Sequence, residues 1–370
     1  MSNTLKHRTA VSLFSGAGGM DVGFARAGFR SVVACEIDHD ACQTFNSNLH
    51  LVGHLGNAIE PSSVLDLDLS SVPTGLDIVF GGPPCQGFSV AGKMDPDDER
   101  SKLVHAFFDV VERTKPKAFV CENVKALAVS GRWEGIREML FERSERDYSV
   151  ALIVLGAADY GVCQNRQRMF LIGLRRDIYP HGGTELEADI RLRLKAHEAV
   201  PPTVADIVRE FGRAGTKGNP LTCTAKVSFA KSPILRRSAY AGMMFNGAGR
   251  PVPASGVSST LPASMGGNKT PIVDEGEIFD GLPSFIEGYH AKLMAGGSAK
   301  HGDAPKRLRR LTLRECMRIQ TFPDEHIFYG RKSSIYRQIG NAVPCRLAEV
   351  VGRSVDGVLE AAELRSVAAA

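Results

Sequence analysis

Cys85 stands in the segment Gly81-Gly82-Pro83-Pro84-Cys85-Gln86-Gly87-Phe88-Ser89, directly after two prolines. Proline fixes φ and restricts the residue before it, so the thiol is held in place and not carried on a helix. That placement suits a nucleophile, which reacts as the thiolate. A lone cysteine is more often a small buried apolar residue. The Pro-Pro context and the loop position set Cys85 apart. Glu122-Asn123-Val124 follows the apolar run Ala118-Phe119-Val120-Cys121, and a carboxylate at that strand end would share a crevice with Cys85. Taken alone, Glu122 reads better as a surface residue at a strand–loop junction. In Gln164-Asn165-Arg166-Gln167-Arg168 the alternate arginines of an extended segment project to one face. A solvated basic loop accounts for them as well.

A second chemistry is written nearer the start. Phe14-Ser15-Gly16-Ala17-Gly18-Gly19 joins a strand-like run to a helix-like one. Glycines there permit a tight turn and close approach of a ligand, and the helix N-terminus favours a negative group. Glu36 lies 20 residues after Gly16, where an acid commonly holds ribose hydroxyls. The spacing is not GxGxxG, so it fits any nucleoside-containing cofactor and counts against a dinucleotide. A glycine-rich turn without a ligand is the plainer alternative.

These residues need a scaffold, and the pattern predicts one. Thr9–Phe14, Arg30–Cys35, Asp77–Phe80, Lys117–Cys121, Ser149–Leu155 and Met169–Leu174 read as strands. Met20–Gly28, Asp40–Asn48, Leu103–Arg113 and Ile136–Arg143 read as helices. Such alternation predicts an α/β fold with a parallel, doubly wound sheet. Ligands of these sheets bind at strand C-terminal ends, where Cys85 falls. Further on, Thr312 and Glu315 form a capping-box signature before a helix that Phe322-Pro323 ends. From Tyr336 the chain carries Gly340-Asn341-Ala342-Val343-Pro344, then a helical stretch to Leu364.

The 370 residues fit one large domain or two smaller ones, and 43% apolar with 23% charged composition excludes a wholly disordered chain. No apolar stretch approaches the ~20 residues of a membrane span, and the first residues lack a signal-like apolar core. A soluble, intracellular protein is expected. The eight cysteines show no CxxC spacing, so no metal site is expected. The net charge of +4 is uneven. Phe211–Val273 contains eight basic residues and no Asp or Glu. A polyanion-binding surface and a solvated, loop-rich insertion both account for that stretch.

Together these segments resemble the bacterial-type DNA (cytosine-5)-methyltransferases. The resemblance runs in the family's motif order through Phe14–Gly19, Glu36, Pro83–Gln86, Glu122–Val124, Gln164–Arg168, Arg309–Cys316 and Gln338–Pro344. It implies a Rossmann-like catalytic domain over 1–185, a target-recognition domain over 186–325, rich in loops and strands, and a returning segment over 326–370. It implies methyl transfer from S-adenosyl-L-methionine to C5 of a flipped cytosine in double-stranded DNA, through a covalent adduct of Cys85 at C6. Glu122 would serve the ring N3 and Arg168 the O2 carbonyl. Arg166 would support the site, and Asn123 would order the loop carrying Glu122. Phe14, Gly16, Gly18, Gly19, Glu36, Ile37, Pro84, Leu103, Asn341 and Val343 would line the cofactor site. Asn57 replaces the family's usual Asp near the adenine amino group. Ser89, Arg236, Arg237, Asn268 and Lys269 would meet DNA, the last two from the loop Thr260–Lys269. The implied setting is the bacterial or phage cytoplasm, nucleoid-associated, as a monomer with a separately acting companion restriction endonuclease. A tRNA cytosine-5 methyltransferase of the same fold and a non-catalytic DNA-binding relic are the alternatives.

Overall fold

The structure, a computed structural model, describes residues 7–84, 99–220 and 222–369. Cys85 and Ser89 lie outside the described residues. Those described fall into two compact units. The first lies within Met1–Gly156, Gln167–Glu198 and Cys345–Ala370, and the second within Ala157–Arg166 and Ala199–Pro344. The expected boundaries after 185 and 325 thus stand against divisions after 198 and 344.

The first unit opens with β1 (Arg8–Leu13), α1 (Gly19–Arg26), β2 (Phe29–Cys35), α2 (His39–Asn46) and the single turn α3 (Leu49–Val52). Then come β3 (Ile78–Gly81), α4 (Glu99–Thr114), β4 (Ala118–Val124), α5 (Lys125–Val129), α6 (Glu134–Ser144) and β5 (Tyr148–Gly156). The chain passes through the short strand β6 (Gln164–Asn165) of the second unit, re-enters as β7 (Gln167–Arg175) and continues into α7 (Gly183–Lys195). Six strands form one sheet in the order β2-β1-β3-β4-β7-β5. Val11, Leu13, Val79, Phe107, Phe119 and Leu171 belong to its fully buried core. Phe119 meets both Phe108 and Tyr148 edge-on, at 5.5 and 5.1 Å between centroids.

The sheet departs from the all-parallel expectation at one strand. β1, β2, β3 and β4 pair in parallel, whereas β7 runs antiparallel to both β4 and β5. No crossover helix separates β5 from β7, and a parallel pair needs one. The antiparallel partner also lengthens β4. Glu122, Asn123 and Val124 lie inside the strand, opposite Phe170, Met169 and Arg168.

The second unit contains α8 (Val204–Phe211), β8 (Phe229–Ile234), β9 (Met243–Phe245), β10 (Ser258–Ser259), β11 (Ile272–Asp274), α9 (Glu275–Asp280), α10 (Phe285–Met294), β12 (Leu308–Arg310), α11 (Leu313–Ile319) and α12 (Lys332–Asn341). Among the described residues no helix lies between Phe211 and Glu275, in keeping with the Gly-, Ser- and Pro-rich composition there. The capping box of Thr312 and Glu315 is formed at α11. Glu315, fully buried, also receives both terminal nitrogens of Arg309 at 2.7 and 2.8 Å and the Asn219 amide at 2.9 Å. This charge is buried but paired and hydrogen-bonded, the condition under which burial is tolerated.

The final helix, α13 (Cys345–Ala369), belongs to the first unit and packs along α1. A Cβ on Gly23 of α1 would come within 2.5 Å of the Cys345 carbonyl and of Ala348. Only glycine permits that approach. No helix among the described residues is long and apolar enough to cross a membrane.

Candidate active site

Glu122 and Arg168 meet across β4 and β7. The register sets Val124 opposite Arg168, and Glu122 is the next residue of β4 on that face. Arg168 Nε lies 2.9 Å from Glu122 Oε1, and both side chains are largely buried. Gly82 leaves room for this carboxylate, since a Cβ there would stand 2.8 Å from Glu122 Oε2. Asn123 donates from Nδ2 to the Pro83 carbonyl at 3.1 Å and accepts from the Val124 N–H at 2.9 Å. The Pro-Pro loop that leads to Cys85 is thereby fixed to β4 beside the ion pair. Pro84 is exposed at the edge of the described segment.

Arg166 is placed differently from the sequence expectation. Arg166 lies between β6 and β7, outside both strands. The guanidinium of Arg166 is buried and donates to the carbonyls of Leu261, Gly340 and Asn341 at 3.3, 3.1 and 3.4 Å. It ties the loop at 261 to the end of α12 within the second unit.

The glycine turn lies at the C-terminal end of β1. Phe14, Gly16 and Gly18 all have positive φ, at 57°, 55° and 78°. A side chain is costly in that region, so Phe14 holds a strained conformation. Gly18 also lies against Val52 and Phe45, where a Cβ would come within 2.4 and 3.5 Å. Gly19 is the first residue of α1. The Glu36 carboxylate is held by three backbone N–H groups. Oε2 accepts from Gly16 at 2.8 Å, and Oε1 accepts from Ile37 and Asp38 at 2.9 and 2.8 Å. Beside it Ile37 is 68% exposed, an unusual state for isoleucine. A Cβ on Gly16 would meet nothing within 4 Å. Open space by Gly16, a fixed carboxylate and a bare apolar side chain fit a ribose-bearing ligand with a flat ring. Asn57 is exposed and Leu103 on α4 is half-buried. In the second unit Asn341 is exposed and Val343 buried.

A family model for C-5 cytosine-specific DNA methylases matches residues 8–356. The chain belongs to that family. Its reaction is methyl transfer to C5 of cytosine in DNA, and it needs a methyl-donor cofactor. The methylase is similar to the Type II methyltransferase M1.HphI of Haemophilus parahaemolyticus, with 31% identity covering 94% of this chain and 86% of that one. It is similar also to the Type II methyltransferase M.NgoPII of Neisseria gonorrhoeae, with 30% identity over 95% and 96% of the two chains. The fold matches the solved structure of the Entamoeba histolytica methyltransferase EhMeth at a TM-score of 0.64, with 16% identity over 95% and 98%.

Six of the seven described cysteines of the methylase are poor nucleophiles by environment. Burial pushes the thiols of Cys42 and Cys345 up to about 12 and that of Cys163 up to about 11. Cys35, Cys121 and Cys316 are raised for the same reason. Of the described cysteines only Cys223 is not fully buried.

The basic stretch of the methylase is less bare than its composition suggests. Acids outside the stretch partner two of its cations: Arg213 pairs with Asp280, and Lys226 lies 3.9 Å from Asp303. Lys217, Lys231, Arg236, Arg237, Arg250 and Lys269 are exposed. In the loop Thr260–Lys269, Leu261 is buried and its N–H donates to Gln164 at 2.9 Å, whereas Asn268 and Lys269 are exposed. Sequence reading missed Asn246 here. Its amide oxygen accepts from Ser228 N–H and Arg310, and its nitrogen donates to Lys226 O and to Asn268 Oδ1 at 3.3 Å.

Asp21 was also missed, because an acid in the first turn of a helix is ordinary composition. It is 1% exposed, and no hydrogen bond of normal geometry reaches either carboxylate oxygen. Burial pushes its carboxyl up to about 7; the Ser12 hydroxyl offsets part of this and the charge of Glu36 adds to it. Between the ordinary value of 3.8 and about 7, the folded chain keeps a proton that the unfolded chain releases. Unfolding free energy therefore falls as pH rises through that window, by about 1.4 kcal/mol per unit, and levels off above it. Asp21→Asn is expected to raise the melting temperature at pH 8 and leave it unchanged near pH 4. Equal melting shifts at both values would show that Asp21 is not carried protonated.

Proposed function

We propose that this methylase transfers the methyl group of S-adenosylmethionine to C5 of a cytosine flipped out of duplex DNA, with Cys85 as nucleophile. The observation that carries the reading is the Glu122–Arg168 pair at 2.9 Å, beside a Pro-Pro loop that Asn123 holds two residues before Cys85. The raised thiols of six of the seven described cysteines support it.

The Cys85 thiolate adds to C6, and the displaced ring electrons make C5 enamine-like and nucleophilic. Arg168 holds the O2 oxygen and Glu122 hydrogen-bonds or protonates N3, which offsets the negative charge that addition creates. The two side chains pair with each other, so substrate entry exchanges one charged contact for two to the base. This keeps both groups oriented beforehand. When bound, S-adenosylmethionine supplies the methyl group to the activated C5 as an electrophile on a positively charged sulfur. The C5 proton then passes to solvent and the Cys85–C6 bond breaks, which restores the aromatic ring and the thiolate. Glu36 would hold the ribose, Ile37 the adenine face and Asn57 the adenine amino group. Phe14, Gly16, Gly18, Gly19, Pro84, Leu103, Asn341 and Val343 would line the remainder.

A base inside a duplex is out of reach, and flipping it costs a few kcal/mol. Phosphate contacts of Arg236, Arg237 and other exposed cations would offset that cost, with Ser89 near the vacated space and Asn268 and Lys269 at base edges. The Type II relatives support a role in restriction–modification. On this reading any companion endonuclease acts separately and the methylase works as a monomer. Incubation with methyl-labelled donor and either duplex DNA or tRNA tests the reading. Label is expected in cytosine of the duplex; label in tRNA alone would overturn it.

A further inference from the structure

The segment after α3 runs along the outer edge of β2, the edge strand of the sheet. Leu55 N–H donates to the Ser31 carbonyl at 2.8 Å. Gly56 passes so close that a Cβ would stand 2.7 Å from both Val32 O and His54 Nε2. The next residues are clasped from two sides. Asn46 of α2 holds Ile59 twice, donating to its carbonyl at 2.9 Å and accepting from its N–H at 2.8 Å. The buried ring of His54 spans the other side. Nε2 lies 3.0 Å from the Asn57 carbonyl and Nδ1 lies 2.9 Å from the Ser31 hydroxyl.

The chemistry fixes the tautomer. A carbonyl only accepts, so Nε2 carries the proton, and Nδ1 accepts from Ser31. Burial lowers the pKa of His54, which keeps the ring neutral. The ring also meets Phe45 edge-on at 5.5 Å, and Phe45 packs beside Gly18 of the glycine turn. One histidine thus joins β2, the turn and the backbone of Asn57. The Asn57 side chain is exposed while its main chain is pinned.

We propose that His54 is a positioning residue for the cofactor's adenine ring, acting through Asn57 by holding that residue's backbone against Ser31. The inference rests on the reading that Asn57 accepts from the adenine amino group. His54 itself touches no ligand. Its removal therefore weakens recognition of the amino group and leaves the chemical step alone.

The test compares two probes, S-adenosylhomocysteine and S-inosylhomocysteine, which differ in having an amino donor or a carbonyl at purine C6. His54→Phe keeps the ring contact with Phe45 and removes both hydrogen bonds. It is expected to weaken S-adenosylhomocysteine about tenfold, the scale of one lost hydrogen bond, and S-inosylhomocysteine less than twofold. The kcat at saturating donor stays unchanged. His54→Gln, which can still donate to the Asn57 carbonyl, restores most of the loss, and Ser31→Ala gives a smaller loss of the same selectivity. Equal weakening of both probes, or none, would overturn the proposal. If the parent protein itself does not distinguish the probes, the reading of Asn57 fails, and the proposal falls with it for that separate reason.

Discussion

Replacing Cys85 with serine is expected to reduce methyl transfer by at least about four orders of magnitude, with duplex binding retained. A serine hydroxyl is almost wholly protonated at neutral pH, so it cannot add to C6 as the thiolate does. Six of the seven described cysteines are unsuited to the role because burial raises their thiols, and Cys223, like them, stands outside the Pro-Pro loop. Retained DNA binding separates lost chemistry from lost folding. A Cys85→Ser protein that still methylates would remove the nucleophile assignment.

Glu122→Gln is expected to lower kcat by about 10²–10⁴, the usual scale of general-acid assistance, with a small change in KM for DNA. Glutamine keeps the length and a hydrogen bond but cannot deliver a proton to N3. It also replaces the charged contact with Arg168 by a hydrogen bond to a neutral amide, so Arg168 is held less firmly before substrate arrives. Since the two side chains act as a unit, Arg168→Met should cost far less in the Glu122→Gln background than alone. Additive losses in that double-mutant cycle would mean that the pair does not work on a common base.

Much of the scaffold was legible because strand and helix periods alternate clearly from Thr9 to Leu174. The reversal of β7 was not legible. Its residues read as an apolar strand in either direction, and only the shortness of the connection between Gly156 and Gln167 bears on it. The same reversal sets Glu122 and Arg168 side by side, a contact that no local pattern encodes. Arg166 was legible only in part. Its spacing from Arg168 is visible in the sequence, but its burial against the carbonyls of Leu261, Gly340 and Asn341, all distant in sequence, is not. The capping box at Thr312 was legible because its rule is local. Asp21 and His54 were not, because their significance lies in burial and in partners distant in sequence.

The central claim is a covalent bond between Cys85 and cytosine C6, and it can be caught directly. A duplex carrying 5-fluorocytosine at the target position permits thiolate addition and methyl transfer but blocks release, since fluorine cannot leave as a proton does. Incubation with S-adenosylmethionine is predicted to give a denaturant-stable one-to-one complex, with mass spectrometry locating the DNA on the peptide containing Cys85. A complex that dissociates in denaturant, or an adduct on any other residue, would contradict the account.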